Sequence, residues 1–176
     1  MIGIPLALIT SAAFEWWAHK HVLHGRGKCK GNFWAFHFHE HHSASRRHGM
    51  LDEDYLRSPW QWNAQGKELC ALAALALPVA AAFPIAPFWS ITSLFCLLRY
   101  YVVHRRAHLD PDWAREHLPW HYDHHLGPDQ DCNWGVTAEW FDRWMRTRVV
   151  YKGTPREEAD RARRAGSTSR MPSVPR

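Results

Sequence analysis

Two long apolar stretches organise this chain. From Met1 to Ala18 the only charged side chain is Glu15, and from Leu69 to Leu98 thirty consecutive residues carry none. A helix that crosses a bilayer needs about 20 apolar residues. The second stretch stays apolar through Tyr100–Val103 and is broken by Pro84 and Pro87. Proline ends or kinks a helix, so this stretch predicts a membrane hairpin with spans of about 68–84 and 87–103. The first stretch, about 27 Å long as an α-helix at 1.5 Å per residue, predicts a third span over about 1–18. It lacks a basic leader segment and a small-residue cleavage site, so it does not read as a signal peptide. The expected fold class is all-α: an integral-membrane helical bundle over residues 1–152, with a helical cap from 19–67 and 104–152. Residues 153–176 are polar and poor in aromatics. They predict a short helix over 156–164 that frays into a disordered tail.

Charge then orients these elements. The 22 Lys and Arg avoid residues 1–19 and the interval between Lys67 and Arg99. Three crossings would therefore put every Lys and Arg on one side, which the positive-inside rule makes cytoplasmic. Of the 11 Trp, Trp16, Trp17, Trp89, Trp113 and Trp120 suit an interfacial belt, whereas Trp134, Trp140 and Trp144 read as core. Cys29, Cys70, Cys96 and Cys132 form no C-x-x-C pair, hence neither a zinc ribbon nor a disulfide scaffold. Nothing in the composition points to nucleic acid as a partner. The competing reading is a soluble protein around one buried helical hairpin.

Histidine changes the picture most. Of 14 histidines, ten recur at regular positions in four clusters: H-K-H-V-L-H (19–24), H-F-H-E-H-H (37–42), H-R-R-A-H (104–108) and H-Y-D-H-H (121–125). Residues i, i+3 and i+4 share a helical face. His121, His124 and His125 have that spacing, as do His104 and His108, and His37 and His41 with His42 adjacent. His19 and His24, at i, i+5, lie about 140° apart on an ideal α-helix, and meet one ion only if the helix loosens near Gly25. His39 competes with His37 for the second cluster; the shared face with His41 favours His37. His21, His48 and His117 read as non-ligands. One ion rarely takes more than three or four imidazoles, so ten ask for two ions. Nitrogen ligands with few carboxylates suit Fe, Zn, Cu or Ni rather than Ca or Mg. Two irons in such a site can bind and cleave O₂, and a membrane face suggests a lipid-soluble substrate. Glu15, on the helical face of His19 inside an apolar span where an ionisable group is costly, is a candidate to orient an imidazole, as are Asp123 and Glu40 within the clusters.

The order H-x4-H, H-x3-H-H, H-x3-H, H-x2-H-H resembles the fatty acid hydroxylase / sterol desaturase superfamily of integral-membrane di-iron oxygenases. E-W-W-A-H-K-H-V-L-H-G (Glu15–Gly25) is similar to that family's first box, and N-W-G-V-T-A-E-W-F-D-R-W-M-R-T (Asn133–Thr147) to the segment after its last box. The resemblance covers most of residues 15–148. It implies that His19, His24, His37, His41, His42, His104, His108, His121, His124 and His125 ligate two Fe ions, which Zn can replace in a purified protein, with His39 as the alternative ligand. Glu15, Asp123 and Asn133 would stand behind the ligands. It also implies a reaction that uses O₂ and two electrons to hydroxylate or desaturate a lipid. No cytochrome b5 domain is fused to the chain, so a separate donor, a reductase with a ferredoxin or cytochrome b5, would supply electrons. The three-residue gap in the third box and the N-W-G-V-T segment look more like fatty acyl or sphingolipid-type hydroxylases than carotenoid ring hydroxylases, whose first box this chain also resembles. A transporter would need His or acids inside its spans; the hairpin interior has neither. The rival of another class is a non-catalytic membrane metal-binding protein.

Overall fold

The computed structural model describes residues 2–168, and among these there is no strand. Helix α1 (Gly3–Ala18) runs without a break into a π-helical segment, His19–Arg26. A loop pinned by Asn32, whose amide donates to Arg26 O and Cys29 O, leads to a second π-helical segment, Phe36–His42, which continues directly as α2 (Ser43–Arg47). A 3₁₀ turn (Glu53–Leu56) follows. Helix α3 (Ala64–Ala81) starts at Asn63, whose side chain accepts from Gly66 N and so satisfies a free amide of the first turn. The chain turns at 82–86 and enters α4 (Pro87–Leu109) with Pro87 in the first turn, where its missing N–H costs nothing. Short helices α5 (Pro111–His117), α6 (Pro119–Leu126) and α7 (Trp140–Met145) build the cap, and α8 (Pro155–Thr168) closes it.

The two helices expected there and the proline turn between them are present, with α3 beginning four residues before the expected boundary at 68 and α4 running to Leu109, past the expected 103. Helices α1 and α4 pack together with small residues between them. Ala7 and Ser90 are fully buried, Gly3 lies so close to Trp89 that an added Cβ would sit 2.9 Å from its amide nitrogen, and Trp89 Nε1 donates to Thr10 Oγ1. These contacts set α1 and α4 running in the same direction, with α3 opposed. The C-terminal ends of α1 and α4 and the N-terminal end of α3 therefore share one end of the bundle, and all four histidine clusters lie there. Outward faces of the three helices are apolar: Leu6, Leu8 and Ile9 on α1, Leu77 on α3, and Ile91, Phe95 and Leu98 on α4 are each at least half exposed. Among the described residues one helix, α3, is both long and apolar enough to cross a membrane. Helix α1 is 16 residues, about 24 Å, and the last two turns of α4 carry Arg105 and Arg106.

The cap encloses an unusual core. One apolar cluster holds Met50, Ala107, Ala114, Leu118, Tyr122, Leu126 and Tyr151, and a second holds Trp16, Trp134 and Phe141. Most of the largest fully buried side chains are histidines. The tail expected from residue 153 is helical from Pro155 to Thr168, longer than the predicted 156–164; the disordered end expected after it lies outside the described residues. This helix is anchored to the cap: the fully buried Glu157 accepts from Arg115 Nε (2.6 Å), Arg115 Nη2 (3.0 Å) and Gly153 N (2.7 Å). Burial works to raise the Glu157 carboxyl, but the Arg115 guanidinium and the Gly153 amide outweigh it and hold the group at about 2 against the ordinary 4.5. Its stabilisation is thus fully present above pH 4.5 and lost as pH falls through 2. Glu157→Gln should lower stability at pH 7 by about 2 kcal/mol, with the gap to the parent closing as pH falls. Denaturant melts at pH 7 and pH 3 check this; an equal gap at both would refute it.

Candidate metal centre

The structure brings all ten box histidines into the interior, each at most 2% exposed. They sort into two groups. His19, His24, His37, His42 and His124 converge within 4.8 Å of one another through single ring nitrogens, and His41, His104, His108 and His125 do the same. His121 lies against the second group, with its Nε2 3.2 Å from that of His108 and its ring 4.6 Å from His125. The groups share a wall, since the His42 and His125 rings stack with centroids 4.2 Å apart.

Helix type decides this sorting. In a π-helix the backbone bonds run from i to i+5, so residues five apart come into register. His19 and His24, and likewise His37 and His42, are i, i+5 pairs in π-helical segments, and both pairs enter the first group. His104 and His108 are an i, i+4 pair on the α-helix α4, and both enter the second. The loosening that His19 and His24 require spans the whole first box, not Gly25 alone. Two elements serve both groups. The second π segment gives His37 and His42 to one and His41 to the other, and α6 gives His124 to one and His125 to the other. His37 belongs to the first group; His39 is outside both, with its Nε2 3.0 Å from Lys28 O. His21, His48 and His117 are exposed.

The protons on these rings are set by what lies behind them. A carbonyl or carboxylate oxygen only accepts, so the imidazole nitrogen facing it carries the hydrogen. On that basis His19 Nδ1 donates to Trp134 O (2.7 Å), His124 Nδ1 to Cys132 O (2.7 Å) and His108 Nδ1 to Met50 O (2.8 Å). His41 Nδ1 donates to Asp52 Oδ2 (2.7 Å) and His104 Nδ1 to Glu68 Oε1 (2.6 Å), and Tyr55 holds the other Glu68 oxygen at 2.7 Å. On the neutral rings of His19, His108 and His124 each Nε2 is then a bare lone pair, and these lone pairs face other imidazole nitrogens. His19 Nε2 meets His37 Nε2 at 3.0 Å, and His42 Nε2 lies 3.1 Å from both His24 Nε2 and His124 Nε2, where one hydrogen serves only one neighbour. His41 Nε2, His104 Nε2 and both nitrogens of His125 are buried among the described residues with no hydrogen-bond partner.

Protonation does not relieve this crowding. Burial lowers His19, His37, His42, His108, His121 and His125 well below the usual imidazole range, and neighbouring imidazoles add to the effect. Burial also brings His24 to about 2, and His124 to about 4 despite its carbonyl partner. Neutral imidazoles with converging, orphaned lone pairs are the donor set of a transition-metal site. Buried polar groups without partners are otherwise costly. The residues present therefore fit metal ions, one for each group.

Three residues expected behind the ligands act differently. Glu15 reaches no imidazole. Its carboxylate accepts from Val136 N, Thr137 N and Thr137 Oγ1, because the loop after α6 folds back over the end of α1 and presents free amides there. Asp123 faces away from the histidines between which it sits, pairing with Arg148 and accepting from Lys152 N. Asn133 is in the left-handed region at φ 56° and brackets the backbone of Val149. It holds residues 132–134 so that the Cys132 and Trp134 carbonyls point at His124 and His19. Glu40 is exposed and pairs with Lys67. Side chains that do meet the box imidazoles, Asp52, Glu68, Tyr55 and Gln130, escaped the sequence reading. Glu68 carried a usable signal, an acid bordering a long apolar run, the same one that drew attention to Glu15. Asp52 carried none.

Loss of such an orienting group typically weakens a metal site 10–100-fold. Asp52→Asn and Glu68→Gln should each lower affinity by that factor at the second group and leave the first unchanged, as read by chelator competition. Compared with known protein families, curated proteins and solved structures, the chain matches none.

Proposed function

We propose that this protein is a membrane-bound di-iron oxygenase of the fatty acid hydroxylase / sterol desaturase type that hydroxylates a C–H bond of a fatty acyl or sphingolipid-like substrate. One observation carries the reading: of ten buried imidazoles, nine converge through single ring nitrogens in two groups of five and four, with His121 against the second, at one end of an apolar helical bundle. Iron bound by the two groups would supply redox chemistry able to engage O₂ with electrons from a separate donor. The balanced reaction is R–H + O₂ + 2 e⁻ + 2 H⁺ → R–OH + H₂O.

The chain's own residues supply the rest. Asp52, Glu68 and the carbonyls of Met50, Cys132 and Trp134 keep hydrogen on Nδ1 and so present Nε2 inward. The apolar cluster around Leu118, Tyr122 and Leu126 keeps bulk water from the imidazoles. The outward apolar faces of α1, α3 and α4 support a bilayer setting, because contiguous exposed apolar surface of that extent marks a membrane or a partner. In that setting α3 crosses the membrane with α1 and α4 packed beside it, and the centre lies at the cytoplasmic surface, within reach of lipid substrates.

Lipid profiling of cells with and without the protein tests the reading. A lipid one oxygen atom heavier, present only with the active protein, is the expected result. Two bound metals with an unchanged lipid profile would favour the non-catalytic metal-binding alternative.

A further inference from the structure

Behind the second histidine group lies a surface cleft of about 290 Å³, lined by Arg46, Leu126, Arg156, Asp160, Arg163 and Arg164. These residues come from α2, α6 and α8, and none belongs to the three apolar helices. Four guanidinium groups face one carboxylate. Arg156 and Arg163 both pair with Asp160, so the lining carries a surplus of guanidinium groups over carboxylates. Arginine does not lose its proton in proteins, so this surplus is permanent. The floor of the cleft is tied to the centre: Arg46 Nη1 donates to the carbonyl oxygens of His125 and Gly127, 2.9 Å each. A group docked on these arginines is thus one hydrogen bond from the backbone of a buried imidazole residue whose ring nitrogens have no other partner.

We propose that this cleft is the docking site of a soluble one-electron carrier protein with an acidic surface. The proposal rests on the oxygenase reading, which needs two electrons from outside; each encounter oxidises the carrier by one electron, so two complete the balanced reaction. The charged side chains along α8 extend over two turns, from Arg156 to Arg164, which matches a patch of carboxylates better than a single small anion. Complementary charge raises the rate and specificity of such encounters and makes them sensitive to salt.

The test uses the full-length, metal-loaded protein in detergent, with an acidic [2Fe–2S] ferredoxin as the probe and titration calorimetry as the readout. Parent protein should bind ferredoxin with an affinity that falls as ionic strength rises. The charge reversal R156E/R163E should weaken binding at least 10-fold and the milder R156Q/R163Q by less, with metal content and melting temperature kept in both. Ferredoxin binding that is absent, independent of salt or equal in parent and variants overturns the proposal. So does tight binding of inorganic pyrophosphate at these arginines without ferredoxin binding, which would make the cleft a small-anion site. Failure of the oxygenase reading shows separately, as a metal centre that dithionite does not reduce, while ferredoxin binding still decides the cleft.

Discussion

Replacing His125 with alanine should leave one bound metal where two are expected in the parent and, on the oxygenase reading proposed above, should lower turnover roughly a thousand-fold or more, the scale of losing a group that acts as part of a catalytic unit. His125 is fully buried, and both its ring nitrogens lack partners. It lies 4.6 Å from His108 and 4.9 Å from His41 by ring centroids. Nothing else in the chain explains an imidazole there: a Leu of similar volume would fill the space without an unsatisfied polar atom. Metal content by mass spectrometry, together with turnover, checks this. A variant that keeps two metals and full turnover would remove His125 from the centre. His24→Ala is the mirror experiment, expected to empty the first group and spare the second.

The second large effect falls on a residue that binds nothing. Gly27 closes the first π-helical segment, and a Cβ there would sit 1.9 Å from Leu23 O and 2.9 Å from Trp34 O. Both are backbone atoms, so no rotamer change makes room. Gly27→Ala must displace the end of the segment that carries His24. The expected cost is about 3 kcal/mol or more, a fall in Tm of roughly 6–12 °C for a chain of this size. The loss should be uneven, with the first group releasing its metal before the second under chelator. Uniform loss, or none, would contradict the view that the π-helical geometry builds the first group.

What the chain disclosed beforehand follows physical lines. The apolar stretches and the Pro84–Pro87 turn were legible because helix-breaking prolines and charge-free runs are local properties. The ten histidines were legible because their spacing is local too, and the structure buries all of them. The preference for His37 over His39 matches the placement in the structure but stood on incomplete grounds. The α-helical face shared with His41 is not what joins His37 to its group; the π-helical register with His42 is. A π segment leaves no simple mark in sequence, so the division into two groups of ions was not readable. Nor were the orienting groups. Asp52 lies 11 residues from His41, and Glu68 lies 36 from His104; only the packing of the 3₁₀ turn and α3 against α4 brings them together. Glu15 and Asp123 were misassigned for the converse reason. Nearness in sequence to a histidine says little about where a carboxylate points once a distant loop offers it free amides or an arginine.

On this reading the two imidazole groups each hold a metal ion. Its most direct test is the metal content of the purified full-length protein expressed with ample iron, measured by inductively coupled plasma mass spectrometry against quantitative amino-acid analysis. Two metal ions per chain are expected, falling to one in either His24→Ala or His125→Ala. One ion or none in the parent protein, or a parent content that neither variant changes, would contradict it.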